Sequence, residues 1–389
     1  MKTLVSLIAV LVGLTACSSA GPPKSHSGSP APPVAAATAS PGQSHGAAQS
    51  SGPLFAVLEG ATPPAAQADT VAIVGLDGYA RAKAKFQPRK APFMGNAAVI
   101  LQREAQVGGA GVYYVDGNGV VRLLKSSGQA DTVATFPMTP EQHEIWYAVS
   151  GDGSHLLAGV LTAPAIGPKP PDMPWPTLVG NWKFDLESAT AGGGTSILRH
   201  VESADYPDRP DLAATKVWQT TFPVGWTQAG PVAMVGASLA TQNSWGGGPL
   251  YAINGAGQPV TGIGGADCFS AHVLPSGMVA CVGGLAGSST VSVRDSSGQV
   301  IWEPPVDGFT ALQLNMTPDA GAITDGHHVA THTKTFVVPD GFQAQGWLDA
   351  ETVVGRQGND YLAYIRVDSP TTVHNLGFKG DFVGALQGS

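Results

Sequence analysis

Val149 to Ala158 read VSGDGSHLLA: the end of an apolar strand, a tight turn and the start of a second apolar strand. Gly and Asp favour such turns because they tolerate the positive φ angles that tight hairpins require. Variants of the pattern occur at Leu274–Ala280 (LPSGMVA) and at Met316–Ile323 (MTPDAGAI). The chain is therefore expected to be built from β-hairpins.

A second kind of hairpin alternates with the first. It reads YYVDGNGVV at Tyr113–Val121 and is echoed at Tyr251–Pro259 (YAINGAGQP) and Val291–Trp302 (VSVRDSSGQVIW). One hairpin of each kind makes a four-stranded unit of about 35–50 residues, which is the period of propeller blades.

Both kinds of hairpin resemble repeats of known propellers. The first resembles the Ser-Pro-Asp-Gly hairpin of TolB-like and WD-repeat-like propellers. The second, above all Asp295–Trp302, resembles the repeat of quinoprotein-type propellers. The resemblance covers Leu54 to Leu386, although no blade carries the Trp-Asp dipeptide. It implies an all-β propeller and no particular activity.

The repeats predict seven four-stranded blades, with six as the alternative count. Asp381–Leu386 is predicted to complete the first blade and close the ring, because an open array would expose sheet edges. Two β-sandwich domains are the competing fold, and the repetition of two hairpin types favours the propeller. After an irregular first unit at Leu54–Phe86, blades are expected to begin near Asn96, Glu144, Lys216, Cys268, Phe309 and Phe342.

The N-terminus resembles a bacterial lipoprotein signal. Lys2 precedes an apolar run from Leu4 to Leu14, and Leu14 to Cys17 match a lipobox. The resemblance implies that residues 1–16 are a signal peptide and that Cys17 is acylated. A transmembrane helix is one alternative, but the apolar run is about half of the roughly 20 residues that a membrane span needs. An ordinary cleaved signal that happens to hold a cysteine is the other alternative.

Domain organisation and location follow from these assignments. Residues 17–52 are rich in Pro, Ser, Ala and Gly, and they are predicted to form a disordered tether. Residues 53–389 are predicted to form the propeller domain. The expected location is the extracytoplasmic side of the cell membrane, held by lipid, at the cell surface or in the periplasm.

Composition excludes nucleic acid as a partner. The net charge is −8 and only 12% of residues are charged. Binding to phosphates requires a strongly basic surface, which this acidic composition does not supply. The acidity also argues against a polybasic membrane-binding patch.

Cys268 and Cys281 remain once Cys17 is assigned to the lipid. Both flank a predicted hairpin turn, and exported proteins usually bridge such pairs, so a disulfide is expected. Two small buried thiols are the alternative. His272 is the one other potential zinc ligand between the two cysteines, and the three residues lack the short paired spacings of a zinc site.

No residue set nominates a metal, a cofactor or a catalytic centre. His328 and His332 would lie about 13 Å apart along one strand face, too far to share an ion, and His327 points the other way. Asp116 and Asn118 are two of the several oxygen ligands that calcium needs, and turn chemistry explains them as it does Asp152. The Gly-x-Ser-x-Gly nucleophile elbow is absent. Whether the protein is an enzyme is left open.

Three segments are too rich in Pro or Gly for sheet interiors and are candidates for recognition. The alternative is loop decoration with aromatic residues packed on blade edges. The segments are Thr162–Pro176, Asp205–Asp211 and Ala240–Pro249, with Trp175, Tyr206 and Trp245 as the proposed contact residues.

The sequence therefore predicts a membrane-anchored, monomeric propeller that acts as a binding or scaffolding module. Its partner would be an envelope protein or a small extracellular ligand. The alternative is a propeller-fold hydrolase or lyase acting on extracellular glycan, peptide or ester substrates, with converging ionisable groups at the channel mouth. A third possibility, a subunit of an envelope complex, predicts an exposed apolar patch.

Overall fold

A computed structural model describes residues 52–60, 68–88, 105–138, 143–173, 176–203, 221–235, 250–265, 268–283, 290–304, 314–358 and 361–386. All regular structure in these ranges is β-strand, which confirms the predicted all-β class. No helix occurs in them, and hence none that could cross a membrane. Residues 1–51, with the predicted signal peptide, Cys17 and nearly all of the predicted tether, lie outside the described ranges.

Seven four-stranded antiparallel sheets form the blades. Blade 1 contains β1 (Leu54–Glu59), β2 (Thr70–Gly75), β3 (Ala80–Lys85) and β30 (Asp381–Ala385). Blade 2 contains β4 (Ala105–Gly108), β5 (Gly111–Val115), β6 (Val120–Leu124) and β7 (Ala130–Thr135). Blade 3 contains β8 (His143–Val149), β9 (His155–Thr162), β12 (Trp182–Thr190) and β13 (Thr195–Ser203), and its insertion forms β10 (Ala165–Ile166) and β11 (Leu178–Val179).

The remaining blades follow in chain order. Blade 4 contains β14 (Thr221–Thr227), β15 (Gly230–Val235), β16 (Leu250–Ile253) and β17 (Pro259–Ile263). Blade 5 contains β18 (Phe269–Val273), β19 (Val279–Gly283), β20 (Thr290–Arg294) and β21 (Val300–Trp302). Blade 6 contains β22 (Asn315–Met316), β23 (Ala322–Thr324), β24 (His328–Thr331) and β25 (Thr335–Val337). Blade 7 contains β26 (Phe342–Trp347), β27 (Thr352–Gln357), β28 (Tyr361–Arg366) and β29 (Ser369–Lys379).

The blades form a closed ring around their innermost strands. β30, β4, β8, β14 and β18 contact one another in that order, and β22, β26 and β30 continue the series. Between β18 and β22, the backbone N–H of Met316 donates to Nδ1 of His272 at 3.0 Å. The fold is a seven-bladed β-propeller, so the predicted count of seven is confirmed, and six blades and two sandwiches are excluded.

The C-terminal strand closes the ring, as predicted. β30 pairs with β1 in antiparallel register, placing Phe382 opposite Val57. Gln345 of blade 7 links that blade to β30, because its Nε2 donates to Asp381 Oδ1 at 2.5 Å and its Oε1 accepts from Phe382 N–H at 2.7 Å. The Phe382 ring also packs 5.8 Å from Phe55.

The core is divided among the blade junctions. Seven apolar clusters occur in the described residues, one between each pair of neighbouring blades. They form because successive side chains of a strand point to opposite faces of its sheet. In β2, Val71 and Ile73 face blade 2, and Ala72 and Val74 face blade 7.

Antiparallel order gives the disc two distinct faces. We number the strands of each blade outward from the centre of the ring, so that β30 is the first strand of blade 1. Turns between the first and second strands of a blade, and between the third and fourth, lie on one face, which we call the turn face. Connections between the second and third strands, and between blades, lie on the opposite linker face. The segments at Ser150–Ser154, Pro275–Gly277 and Pro318–Gly321 form hairpins, as predicted, and each joins the first and second strands of its blade.

The three segments grouped as the second kind of hairpin do not all join the same pair of strands, so that grouping is partly wrong. The turns that begin at Asn254 and Asp295 join third and fourth strands, but Asp116–Gly119 joins β5 to β6, the second and third strands of blade 2. In all three turns the first side chain accepts hydrogen bonds from the N–H groups two and four residues later. The chemistry of the turn is local, so it does not report which strand pair the turn joins.

Candidate functional site

A pocket of about 390 Å³ opens on the turn face between blades 3 and 4. Its size lies within the usual range of small-ligand sites, roughly 300–1,000 Å³. It is lined by His155, Leu156, Leu157, Ser188, Ala189, Thr190, Gly194, Ser196, Leu198, Trp226, Pro231, Ile253, Asn254 and Gly255.

Strand register builds the blade 3 wall. His155 of β9 pairs with Thr190 of β12, and Ser188 of β12 pairs with Ser196 of β13. Directly paired residues share a sheet face, as do residues two apart on one strand. The imidazole of His155 and the hydroxyl groups of Ser188, Thr190 and Ser196 therefore lie on the single face of blade 3 that looks toward blade 4.

Blade 4 supplies an aromatic and apolar wall. Trp226, near the end of β14, pairs with Pro231 at the start of β15, and Ile253 ends β16 nearby. The Trp226 side chain is half-buried against the apolar cluster between the two blades. Its ring centroid lies 6.5 Å from that of His155 across the junction.

The pocket is the place where this apolar cluster gives way to polar side chains. Phe184 and Leu186 on β12 are fully buried in the cluster, and Ser188 and Thr190 continue the same face toward the surface. Gly257 allows the blade 4 turn to approach closely at φ +73°, since a Cβ there would lie 2.9 Å from Leu198 and 3.0 Å from Leu186. The close approach narrows the gap between the blades beside the pocket.

The lining is nearly free of charge. Of the described residues that line the pocket, only His155 has an ionisable side chain. Asp152 lies in the adjacent turn and accepts hydrogen bonds from Ser150 Oγ at 2.6 Å and from Ser154 Oγ at 2.8 Å. These bonds, led by that from Ser150, hold the pKa of Asp152 well below its usual value.

Asp152, Ser154 and His155 form a hydrogen-bonded chain that differs from a catalytic triad. The Ser154 hydroxyl lies between the other two groups, 2.6 Å from His155 Nδ1. In a triad the histidine lies between the serine and the carboxylate and accepts the serine proton. A matching turn in blade 6, where Thr317 Oγ1 donates to Asp319 at 2.6 Å and the pKa of Asp319 is also lowered, shows that this chemistry stabilises turns.

Cys268 and Cys281 are joined by a disulfide. Cys268 immediately precedes β18 and Cys281 lies in β19, so the bond links neighbouring strands of blade 5. Both residues are fully buried in the apolar cluster between blades 4 and 5. The bond therefore lies away from the pocket and within the core.

The other sequence-predicted site residues, Cys17, Trp175, Tyr206 and Trp245, lie outside the described residues. The strands that flank the three predicted recognition segments all end at the linker face. The first segment is described in part. Its strand β10 pairs with β11, which follows the segment, in a ribbon where Ile166 and Val179 are 54% and 57% exposed.

The three histidines that are close in sequence, His327, His328 and His332, have different surroundings in the structure. His328 Nδ1 lies 3.1 Å from Asp325 Oδ2, His332 packs 4.7 Å from the Trp302 ring, and His327 is exposed. No group of three metal-ligating side chains occurs in the described part of the chain. Asp116 pairs with Arg122 and caps its own turn, in keeping with the structural role expected from turn chemistry.

A buried carboxyl group lies on the opposite face of the strand that bears the pocket hydroxyls. Glu187 of β12 is 3% exposed and faces blade 2. Burial, with a smaller contribution from Asp185, raises its pKa to about 7, against an opposing hydrogen bond from Thr195. Its position excludes it from the pocket.

Comparison with known proteins identifies no family. The sequence matches no protein-family model and no curated protein. Among solved structures, TolB from Acinetobacter baumannii is 13% identical, with a TM-score of 0.40, over 86% of this chain and 66% of that one. The Dos1 propeller is 11% identical, with a TM-score of 0.42, over 85% and 88% of the two chains. An oligogalacturonate lyase from Vibrio parahaemolyticus is 9% identical, with a TM-score of 0.34, over 81% and 71%. Each of these is a protein to which this chain is similar in fold alone.

Proposed function

We propose that this protein is a binding module that holds a small uncharged ligand between blades 3 and 4. The observation that carries the proposal is the pocket of about 390 Å³, whose lining combines an indole, aliphatic side chains and uncharged polar groups. Sites of this composition are typical of ligand pockets, in which a few polar groups orient a ligand that is mostly in apolar contact.

The lining favours binding over catalysis. Hydrolysis of a glycan commonly uses two carboxyl groups, and proton-transfer chemistry needs a positioned acid and base. The lining offers one imidazole, and the neighbouring Asp152 is held by the hydroxyl groups of its own turn. The Asp152 carboxylate is therefore occupied in stabilising its own hairpin, and Glu187, which precedes Ser188, faces blade 2 instead of the pocket.

We also propose that Cys17 carries the lipid that anchors the module on the extracytoplasmic side of the membrane. The support is the sequence from Lys2 to Cys17. Cells fed a labelled fatty acid should incorporate the label into the wild-type protein. The Cys17→Ala variant should lack the label and leave the membrane fraction. Equal labelling of both proteins would overturn the assignment.

The pocket is tested by filling it. Ser196 lies at its exposed rim on the outermost strand of blade 3. Ser196→Phe should occlude the opening, whereas Thr135→Phe alters an exposed residue on the outermost strand of blade 2 and serves as the matched control. The probes are uncharged oligosaccharides, nucleosides, and amino acids and dipeptides that are acetylated at the N-terminus and amidated at the C-terminus, each added at millimolar concentration in a thermal-unfolding assay.

The proposal predicts that at least one probe raises the melting temperature of the wild type and of Thr135→Phe but not of Ser196→Phe, because a ligand stabilises the state to which it binds. No shift with any probe, or equal shifts in all three proteins, would overturn it.

A further inference from the structure

We infer that the ligand of this pocket is a short uncharged oligosaccharide, an inference that rests on the proposed function. The argument uses the two unlike walls of the pocket, the chemistry of its hydroxyl groups and its lack of charge.

The blade 4 wall suits the apolar face of a sugar ring. A pyranose presents C–H groups on its faces and hydroxyl groups around its edge. The half-buried indole of Trp226, with Pro231 beside it, offers a rigid apolar surface against which such a face can pack. Aromatic side chains provide large contact areas of this kind.

The blade 3 wall suits the hydroxyl edge. Ser188 and Thr190 are two residues apart on β12, so their side chains are about 7 Å apart along the strand. Ser188 and Ser196 are directly paired, with Cβ atoms about 4.5–5.5 Å apart. Serine and threonine hydroxyls both donate and accept hydrogen bonds, and so do sugar hydroxyls. The wall thus repeats the same dual hydrogen-bonding capacity over the length of a small saccharide.

The charge of the lining argues against ionic ligands. Recognition of a phosphate or carboxylate normally uses Arg or Lys, and neither occurs among the described lining residues. Neither Asp nor Glu lines it to pair with an amine. An uncharged sugar satisfies the polar groups without leaving a buried charge unpaired.

Strand pairing argues against an extended peptide. Peptides that add to a sheet bond to the free backbone of an edge strand. Most of the blade 3 lining belongs to β9 and β12, and each of these strands is paired on both sides within the blade. Of the lining residues, two, Ser196 and Leu198, belong to the edge strand β13. Side chains are what β9 and β12 present to a ligand.

Titration calorimetry on the full chain tests the inference with two probe pairs that differ in charge. Triacetylchitotriose is compared with its deacetylated, cationic form, and cellotriose is compared with the anionic trigalacturonate. The proteins are the wild type, Trp226→Ala, Ser196→Phe and, as a matched control, Trp302→Ala. Trp302 is also half-buried, but it lies on blade 5 beside His332. Circular dichroism confirms that each variant is folded.

We expect at least one neutral trisaccharide to bind the wild type and Trp302→Ala, with its charged counterpart binding more weakly. Its affinity should fall about tenfold or more in Trp226→Ala and Ser196→Phe. Equal or tighter binding of the charged form, or binding of a non-saccharide probe alone that Ser196→Phe abolishes, would overturn the inference and leave the pocket as a binding site. Absence of any ligand sensitive to Ser196→Phe would overturn the proposed function as well.

Discussion

His155 and Trp226 face each other across the junction of blades 3 and 4, with ring centroids 6.5 Å apart and planes inclined by 34°. Each ring lies at a strand end on the turn face, one at the start of β9 and one near the end of β14. The sheets of blades 3 and 4, which pack against each other through the apolar cluster between them, thus separate where they reach the turn face. The gap between them is what makes room for a ligand.

His155 and its neighbour Ser154 should have separable roles. His155→Ala should weaken ligand binding by about tenfold if its imidazole bonds to the ligand. Ser154→Ala should leave the affinity nearly unchanged and lower the melting temperature, because Ser154 holds Asp152 within the turn. Calorimetry and thermal unfolding measure the two effects. Turnover of a substrate that Ser154→Ala abolishes would show instead that this cluster is catalytic.

Glu187 should make the protein less stable as pH rises from about 4.5 to about 7. Its pKa is raised from 4.5 to about 7 in the folded state, so in that window the folded chain holds a proton that the unfolded chain has lost. The stabilisation is complete below about pH 4.5 and is lost through the folded pKa. The loss is about 1 to 3 kcal/mol of unfolding free energy, measurable by denaturant titration at several pH values.

Glu187→Gln removes the titrating group and should flatten stability across that window. Glu202→Gln is the control, because Glu202 is an exposed carboxylate on β13 whose pKa is lowered, chiefly by a hydrogen bond from Asn181. This variant should keep the wild-type decline between about pH 4.5 and about pH 7. The same decline in Glu187→Gln would refute the assignment to Glu187.

Loss of the disulfide should destabilise the propeller. The bond spans 13 residues and joins the start of blade 5 to its second strand inside the core. Replacing Cys268 and Cys281 together by Ser should lower the free energy of unfolding by about 2 to 4 kcal/mol. Denaturant unfolding of the double variant and of the wild type with and without reductant measures this. Identical transition midpoints would contradict the prediction.

Gln345 should hold the ring closed. Gln345→Ala removes both of its hydrogen bonds to blade 1 and leaves the Phe382 N–H without its side-chain partner, at a cost of about 1 to 3 kcal/mol. Hydrogen exchange of the β30 amides should accelerate. Gln129→Ala, which alters an exposed turn glutamine bonded to Asp131, is the control. Unchanged exchange in β30 would show that the pairing with β1 alone closes the ring.

The sequence sufficed for the architecture because hairpin turns are encoded locally. Asp and Gly at fixed offsets between apolar runs marked the turns of blades 3 to 6, and the spacing of the two hairpin types gave the blade period. The same locality caused the misassignment of Asp116–Gly119, whose Asp caps a turn between second and third strands as readily as between third and fourth. Of the predicted blade starts, Phe342 is the first residue of β26, Glu144 is the second residue of β8, and Cys268 immediately precedes β18. Asn96, Lys216 and Phe309 lie outside the described residues.

The pocket could not be predicted, because its walls belong to different blades. Which sheet faces meet depends on the order of the blades in the ring and on the register of their strands, and no local sequence motif encodes either of these. One signal was present. After Phe184 and Leu186, the alternating positions of β12 become Ser188 and Thr190, and Ser196 precedes Leu198 on β13. Polar residues at core-facing positions of a strand indicate that those positions reach solvent. The sequence does not indicate Trp226, because it does not show which blade face Trp226 meets.

The most direct test is a spectrum of the full chain labelled with ¹⁵N at the tryptophan indoles, recorded during titration with triacetylchitotriose and cellotriose. Trp226→Phe identifies the Trp226 signal by its loss. The account predicts that a neutral trisaccharide shifts the Trp226 indole resonance and leaves in place those of Trp302 and Trp347, which lie on blades 5 and 7 and do not line the pocket. Movement of the Trp175 or Trp245 signals with Trp226 unmoved, or no movement at all, would contradict a ligand site between blades 3 and 4.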